Sequence, residues 1–160
     1  AALAPATRLA AFVMGTNDLA KDLRCAQVPG REPLLPSLGI ALLAARAHGL
    51  PIVDGVYNDI QDVEGFAAVC RQAADMGFDG KTLIHPSQIE PTNRIFAPKP
   101  EDVAWARKVI AAFAEPANRG KGALKVEGRM VELLHEAEAR RLVAIADAIA
   151  AADQAASVSA

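Results

Sequence analysis

The sequence has few of the residues that mark nucleic-acid-binding or membrane-spanning proteins. Aromatic residues make up 4% of its 160 residues, and 17 basic residues face 19 acidic ones for a net charge of -2. Because base stacking and phosphate contacts need rings and clustered cations, we expect no nucleic-acid partner. No apolar run approaches the roughly 20 residues of a membrane span. The alanine-rich opening lacks the charged start and long apolar centre of a signal peptide.

Cysteine is also scarce. Cys25 and Cys70 lie far apart in the chain, without a CxxC pair or histidines at zinc spacing. This usage favours two thiols in the core and a reducing compartment. With 52% hydrophobic residues, the sequence predicts a soluble cytoplasmic protein that buries a core and has no membrane partner.

Three short apolar segments each lead into a polar cluster and then into a helix-like stretch. In chain order they are 11–14 before 15–18, 51–53 before 54–59, and 82–84 before 85–88. Buried parallel strands read as continuous apolar runs, and the loops after their carboxyl ends carry ligand groups. The pattern predicts a β/α protein with an active site where its strands end.

Helices are predicted between these strands. One runs over Leu19–Leu23 with Asp18 as its N-cap, the second over Leu34–His48, and the third from Asp62 to Gly77. Pro29, Gly30 and Pro33 interrupt the chain between the first two. Strand and helix therefore alternate, with connections long enough for parallel crossovers.

The character of the sequence changes after Ala97. A stiff hinge at 98–100 leads into an amphipathic helix over 101–117. Residues 124–131 alternate like a hairpin around Glu127-Gly128. A last helix runs from Glu132 to about Ala151, and 155–160 is expected to fray. We predict two parts, strand–helix units over 1–97 and a helical arm over 98–160.

The number of strands leaves two architectures open. A closed eight-stranded β/α barrel takes about 250 residues, whereas this chain offers three strand–helix units. It is either a small open sheet or the carboxyl-terminal portion of a larger barrel.

Four segments resemble the citrate lyase β subunit and malyl-CoA lyase family, which is HpcH/HpaI aldolase-like. They are 15–23, 54–62 and 77–89, which match its last three strand–loop segments, and 122–135, which matches its C-terminal arm. The resemblance implies an α/β fold: the C-terminal part of a TIM (β/α)8 barrel plus a helical arm. The family's earlier strands carry a metal-binding Glu and a substrate-binding Arg, and no segment here resembles them. The resemblance therefore implies a truncated lyase.

The resemblance also implies an activity. Family members use Mg²⁺ to make or break a carbon–carbon bond beside a CoA or acyl-carrier thioester, and Mn²⁺ is an alternative metal. We expect cleavage of a 3-hydroxyacyl-CoA such as malyl-CoA, or of a citryl or citramalyl thioester. The alternatives are a (3S)-malyl-CoA thioesterase and, for this chain alone, an inactive fragment or binding module.

Asp18 is the first candidate site residue. The resemblance makes it one of two carboxylates that hold Mg²⁺, and it acts in catalysis through that metal. A carboxylate at a strand's carboxyl end suits a hard cation that keeps several waters. The alternative for Asp18 is a helix N-cap. The amides around Thr16 and Asn17 are expected to face a substrate carboxylate, although Asn17 also suits a turn.

The second loop carries three carboxylates. Asp54 stands where the strand ends, so it either lines the substrate pocket or hydrogen-bonds neighbouring loop amides. Asp62 is better explained as a helix cap and Asp59 as a solvated charge. Lys81, at the end of the next connection, either stays at the sheet end or pairs with an acidic neighbour.

The third loop is a candidate for binding CoA. In the family the Ile-His-Pro stretch packs against the CoA moiety, so Ile84, His85 and Pro86 are implied CoA contacts. The proline after His85 also suggests a shaped turn in which the ring is structural.

Glu132 is the last candidate. The family often has an Asp at the matching position of the arm, which serves as acid/base in the active site of an adjacent subunit. Here the side chain is one methylene longer, and a base must come within about 3 Å of its proton. The alternative is an exposed first-turn glutamate favoured by the helix dipole. The resemblance implies a homo-oligomer, a trimer or hexamer, with arm exchange.

Overall fold

The computed structural model describes residues 9–158, which fall into two compact units on either side of the Phe96–Ala97 bond. The start of the alanine-rich opening and the last two residues of the predicted tail lie outside the described range. Among the described helices, none is long and apolar enough to cross a membrane.

The first unit contains a parallel three-stranded sheet. Its strands are β1 (Phe12–Val13), β2 (Ile52–Asp54) and β3 (Gly80–Lys81), in that spatial order. Phe12 pairs with Ile52, and Val53 pairs with Gly80. The predicted alternation of parallel strands and helices is confirmed. The central strand is β2, at whose end Asp54 was predicted.

The third strand was predicted two residues too late. It lies at Gly80–Lys81 instead of 82–84, because Lys81 turns inward to meet Asp54 at 2.8 Å. The backbone N–H of Thr82 makes one more bond to the carbonyl of Asp54. The chain then leaves the sheet for a short 3-10 turn, Pro86–Gln88.

Four helices surround this sheet. They are α1 (Thr16–Leu23), α2 (Leu35–Ala47), α3 (Val63–Met76) and α4 (Ile89–Phe96). Asp62 caps α3 by accepting the N–H of Gly65 at 2.9 Å, as predicted. The prediction that Asp18 caps α1 is wrong: Gly15 is the N-cap, and Asp18 is the third helical residue.

The core of the first unit forms between α2 and the sheet. Leu38, Leu42 and Ala45 of α2 are buried together with Ile52 of β2. Full burial of a leucine such as Leu38 contributes roughly 2 kcal/mol. The adjacent Leu43 lies off the buried face of α2 and is 73% exposed.

The second unit is a helical hairpin with a β-ribbon. Its elements are α5 (Pro100–Ala114), β4 (Ala123–Val126), β5 (Arg129–Glu132) and α6 (Leu133–Val158). The predicted ribbon is confirmed. Its two-residue turn has positive φ at Glu127 (45°) and Gly128 (85°), which matches the twist of the paired strands.

Three boundaries in this unit differ from the prediction. The helix α5 ends at Ala114, before a 3-10 turn at Pro116–Asn118. Glu132 closes β5 instead of opening the last helix, since it pairs with Ala123; its reading as a first-turn glutamate is therefore wrong. The helix α6 continues to Val158, so the predicted fraying from Ala155 is wrong for the described residues.

Candidate active site

A pocket lined by both polar and apolar side chains lies at the carboxyl ends of β1 and β2, in the first unit. Its volume is about 270 Å³. We call it the strand-end pocket. Three chain segments line it: Thr16 and Asn17 after β1, the turn 26–31 with Leu34, and the loop 56–59 after β2. The structure therefore has a pocket at the strand ends, where the sequence predicted the site.

Two loops of the pocket are joined by their side chains. The Asn17 amide donates to Oδ1 of Asn58 at 3.1 Å, and the Asn58 amide donates back to Asn17 at 2.9 Å. Gly55 allows this close approach, because a Cβ there would collide with the Thr16 side chain and the Met14 carbonyl. The amide pair therefore holds the loops after β1 and β2 together.

Asp54 is the centre of a buried charge cluster. Nη1 of Arg31 donates to both of its carboxylate oxygens, at 2.9 and 2.8 Å. Nζ of Lys81 donates to Oδ2 at 2.8 Å and also to the carbonyl of Gly55. The exposed fractions of the side chains are 0% for Asp54 and Lys81 and 11% for Arg31. We call these three residues the Asp54 cluster.

Arg31 is fixed in one orientation. Its Nε donates to Oε1 of Gln72 at 2.8 Å, and the Gln72 amide donates to the carbonyl of Gly30 at the same distance. The backbone of Arg31 has a φ of 56°, a left-handed conformation that costs a non-glycine residue energy. Its remaining terminal nitrogen, Nη2, is buried and has no hydrogen-bond partner among residues 9–158.

Burial shapes the protonation of this cluster. Desolvation lowers the pKa of Lys81, and the charge and hydrogen bond of Asp54 oppose that shift. Desolvation raises the pKa of the nearby Cys70 thiol, which lies against Thr92 in the interior. Both cysteines were predicted to lie in the core; Cys70 does, whereas Cys25 is only half-buried.

Tyr57 connects the pocket to the start of α3. Its hydroxyl donates to Oδ2 of Asp62 at 2.5 Å, and this bond together with burial raises the pKa of Tyr57 to about 12. The same bond lowers the pKa of Asp62. The carbonyl of Tyr57 accepts from the amide of the buried Gln88 at 3.1 Å. These contacts order the loop after β2.

Asp18 is an exposed carboxylate on the first turn of α1. No hydrogen bond or ion pair engages it within residues 9–158, so its oxygens are available to a ligand. In that same range no group of three His, Cys, Asp or Glu side chains could hold a metal ion. Asp18 therefore offers one carboxylate ligand.

The structure separates the predicted site residues into groups. Thr16 and Asn17 line the strand-end pocket, whereas Asp54 is buried with both oxygens paired to cations and does not line it. The alternative for Asp54, hydrogen bonds to loop amides, is replaced by these ion pairs. Asp59 is exposed, as predicted, and accepts the N–H groups of Gln61 and Asp62.

The third loop has the shaped turn that was predicted. Nδ1 of His85 lies 2.8 Å from Oγ of Ser87 and accepts its backbone N–H at 3.2 Å. Ile84, His85 and Pro86 are all exposed, outside the lining of the strand-end pocket. They form an accessible surface on which a ligand could pack.

Glu132 belongs to the second unit, where its backbone N–H donates to Nδ1 of His135 at 2.9 Å. Its side chain is exposed. A cleft of about 530 Å³ lies beside it, between α5, β5 and α6. There the Arg129 guanidinium sits 5.0 Å from the centre of the Trp105 ring.

Sequence reasoning missed Arg31 and Tyr57. Arg31 lies in a proline- and glycine-rich turn that was interpreted only as a helix break. The sequence did contain a signal for buried charge. Asp54 follows an apolar segment and Lys81 follows a glycine in a predicted strand region, and charges buried in such strands require partners. Two such residues indicate a charge cluster, though they do not identify its third member.

A parallel sheet with a pocket at its strand ends defines an α/β protein of the kind whose active sites lie at that edge. The chain belongs to the HpcH/HpaI aldolase/citrate lyase family, whose model matches residues 1–86. The resemblance predicted from its motifs is confirmed.

Two individual relatives show which enzymes of the family the chain is similar to. A (3S)-malyl-CoA thioesterase from Cereibacter sphaeroides is 53% identical over 94% of this chain and 53% of that protein. A mitochondrial citramalyl-CoA lyase from Rattus norvegicus is 36% identical over 88% of this chain and 42% of that protein. The chain thus spans about half the length of these relatives.

A solved structure matches as well. The CitE protein from Mycobacterium tuberculosis, crystallised with magnesium, acetoacetate and coenzyme A, is 35% identical, with a TM-score of 0.67. The match covers 84% of this chain and 51% of that one.

Proposed function

We propose that this chain forms the C-terminal part of a (β/α)8 barrel enzyme that acts on a CoA thioester of a short hydroxy acid. The observation that carries the proposal is the strand-end pocket, with the unpaired Asp18 carboxylate on the helix that begins beside it. The CoA-thioester enzymes among the relatives and the CitE complex support it.

Hydrolysis of a malyl-CoA thioester is the activity that sequence identity favours, because identity to the named thioesterase, 53%, exceeds the 36% to the named lyase. Carbon–carbon cleavage is the second candidate. It is favoured by the family as a whole, whose description includes citrate lyase. Both reactions place negative charge on an oxygen next to the bond that breaks.

Asp18 fits a magnesium ligand. Mg²⁺ is usually bound through one or two carboxylates and keeps several waters, and Asp18 supplies one free carboxylate at the strand ends. We propose that Asp18 would hold the ion, or Mn²⁺ in its place, together with a carboxylate from outside this chain. When bound, the ion would supply charge stabilisation to an alkoxide or thioester oxygen.

The start of α1 orients the acyl group in this proposal. No side chain of the described residues 9–158 caps α1, so the first amides around Thr16 and Asn17 are free to donate to a carboxylate, which the helix dipole also favours. Asp54 then acts as a positioning residue, because its two cation partners anchor the turn and the strand beneath the pocket.

Three further roles complete the proposal. Ile84, His85 and Pro86 contact the CoA moiety. Glu132 transfers a proton in an active site to which a neighbouring copy contributes its arm. That role requires the protein to form a homo-oligomer.

The test uses the full encoded polypeptide that contains this chain, with malyl-CoA as substrate. Hydrolysis releases free CoA and malate, whereas carbon–carbon cleavage releases acetyl-CoA and glyoxylate. Asp18→Asn should lower kcat by about a hundredfold or more if the carboxylate holds the metal. Asp22→Asn, one turn further along the same exposed helix face, is the matched control and should keep near-normal activity. No product of either kind from the unmodified enzyme would refute the proposal.

A further inference from the structure

Gln88 is a buried polar side chain outside the lining of the strand-end pocket. It is the last residue of the 3-10 turn Pro86–Gln88, and only 3% of it is exposed. A side-chain amide that is closed to water needs partners for both its oxygen and its nitrogen. Gln88 has both partners, and they belong to two different loops.

The two ends of the amide bind the loops that follow β2 and β3. Its Oε1 accepts the backbone N–H of Ile84 at 3.0 Å, and its Nε2 donates to the carbonyl of Tyr57 at 3.1 Å. Ile84 begins the exposed segment 84–86, whereas Tyr57 lies in the loop 56–59 that lines the pocket. Within residues 9–158, no other hydrogen bond joins these two segments.

The backbone of Gln88 is itself fixed. Its N–H donates to the carbonyl of His85 at 3.1 Å, and its carbonyl accepts the hydroxyl of Thr92 at 2.7 Å. Thr92 is buried on α4. The side chain therefore extends from a turn whose own polar groups are bonded, which limits how far the two loops move relative to each other.

We propose that Gln88 is a positioning residue that holds the segment 84–86 at a fixed separation from the loop that lines the strand-end pocket. This inference rests on the proposed function, in which the acyl group of the substrate enters the pocket and its CoA moiety contacts 84–86. A CoA thioester is a long substrate that must contact both loops at once. Binding energy from the CoA moiety helps the reaction at the thioester only if the two contacts keep their separation.

The experiment compares two substrates with the full encoded polypeptide in the presence of Mg²⁺. Malyl-CoA reaches both loops, whereas the malyl thioester of N-acetylcysteamine has the same acyl group and thioester but lacks the pantothenate and nucleotide parts of CoA. The reaction is followed by release of the thiol or of the acyl thioester product.

Two variants alter the amide and one serves as a control. Gln88→Met keeps the length of the side chain but has no donor and only a weak acceptor; Gln88→Glu, when ionised, keeps the acceptor towards Ile84 and loses the donor towards Tyr57. Gln61→Met is the matched control, because Gln61 is an exposed glutamine of the connection between β2 and α3, outside the pocket lining.

We expect both Gln88 variants to lower kcat/KM for malyl-CoA about tenfold or more, since small displacements far from the reacting atoms have effects of that size. For the short thioester, which does not reach 84–86, they should stay within about twofold of the unmodified enzyme. Gln61→Met should stay within about twofold on both substrates. A role of Gln88 in the stability of the fold alone would lower kcat/KM equally for both substrates.

A second measurement does not depend on turnover. CoA alone should slow hydrogen–deuterium exchange of the backbone in 84–88 and also in 56–59 of the unmodified enzyme. In the two Gln88 variants it should slow exchange in 84–88 only, because the bond to Tyr57 that connects the loops is absent.

Several results would overturn the proposal: an unchanged kcat/KM for malyl-CoA in both Gln88 variants, an equal loss on both substrates, or protection of 56–59 by CoA that is missing in the unmodified enzyme or equal in the variants. If Gln88→Met does not fold, Gln88→Glu decides by the same comparisons. Failure of the proposed function has a different result, since the unmodified enzyme then releases no product from malyl-CoA, and the exchange measurement alone decides on Gln88.

Discussion

Replacing Asp54 by Asn should destabilise the first unit severely. The substitution keeps the shape of the side chain but removes the one negative charge within residues 9–158 that contacts Arg31 and Lys81. Asparagine retains one oxygen acceptor, and its NH2 group would face donors. Whichever way the amide is turned, at least one of the three contacts at 2.8–2.9 Å is lost, and the remaining ones no longer have a charged acceptor.

The expected loss is about 3–5 kcal/mol, the usual cost of leaving a buried charge without its partner. Since domains of this size are stable by roughly 5–15 kcal/mol, the variant would lose a large share of its stability. Urea unfolding followed by far-ultraviolet circular dichroism measures the difference.

Lys81→Met is the matched comparison. It removes one cation from the same cluster and leaves the Arg31–Asp54 pair intact, so we expect a change within about 1 kcal/mol. A loss below about 1 kcal/mol for Asp54→Asn, or a larger loss for Lys81→Met than for Asp54→Asn, would refute the view that the buried carboxylate balances two cations.

Three further predictions use groups that can be observed singly. Tyr57 is the only tyrosine, so phenolate absorbance should titrate near pH 12, and Asp62→Asn should move it towards 10; a midpoint near 10 in the unmodified chain would contradict the short bond. Burial lowers the pKa of Lys81 from 10.5, so Lys81 loses its proton at a lower pH in the folded state than in the unfolded state. The free energy of unfolding should therefore rise with pH up to about 10, and this rise should be smaller in Lys81→Met. Arg129→Gln should cost about 0.5–1 kcal/mol and change the fluorescence of Trp105, the only tryptophan; an unchanged spectrum would argue against the ring contact.

Local signals predicted local structure well. Asp62 caps α3 because the motif needs only the amide three residues later, and the ribbon turns at Glu127-Gly128 because two adjacent residues carry the positive φ. Both depend on neighbours in sequence. The strand–helix alternation was predictable for the same reason, since apolar runs and helix stops lie within single segments.

Contacts between distant segments were not predictable in this way. The end of β3 is decided by Lys81 reaching Asp54, 27 residues away, and Arg31 reaches Asp54 across 23 residues. The motif of Asp18 made it a candidate ligand, and that role stays a prediction. Its predicted role as N-cap was wrong, because α1 begins three residues earlier than predicted, after Gly15.

Asp54 explains why the pocket and the stability of the first unit depend on each other. It is the last residue of the central strand, and its carboxylate connects the turn that carries Arg31 with the neighbouring strand that carries Lys81. A stable interior needs charge balance, because a buried charge without a partner is costly. One buried carboxylate between two cations stabilises both of them and at the same time fixes the turn that lines the pocket. A ligand that binds the pocket only in the folded state should therefore stabilise the first unit as well.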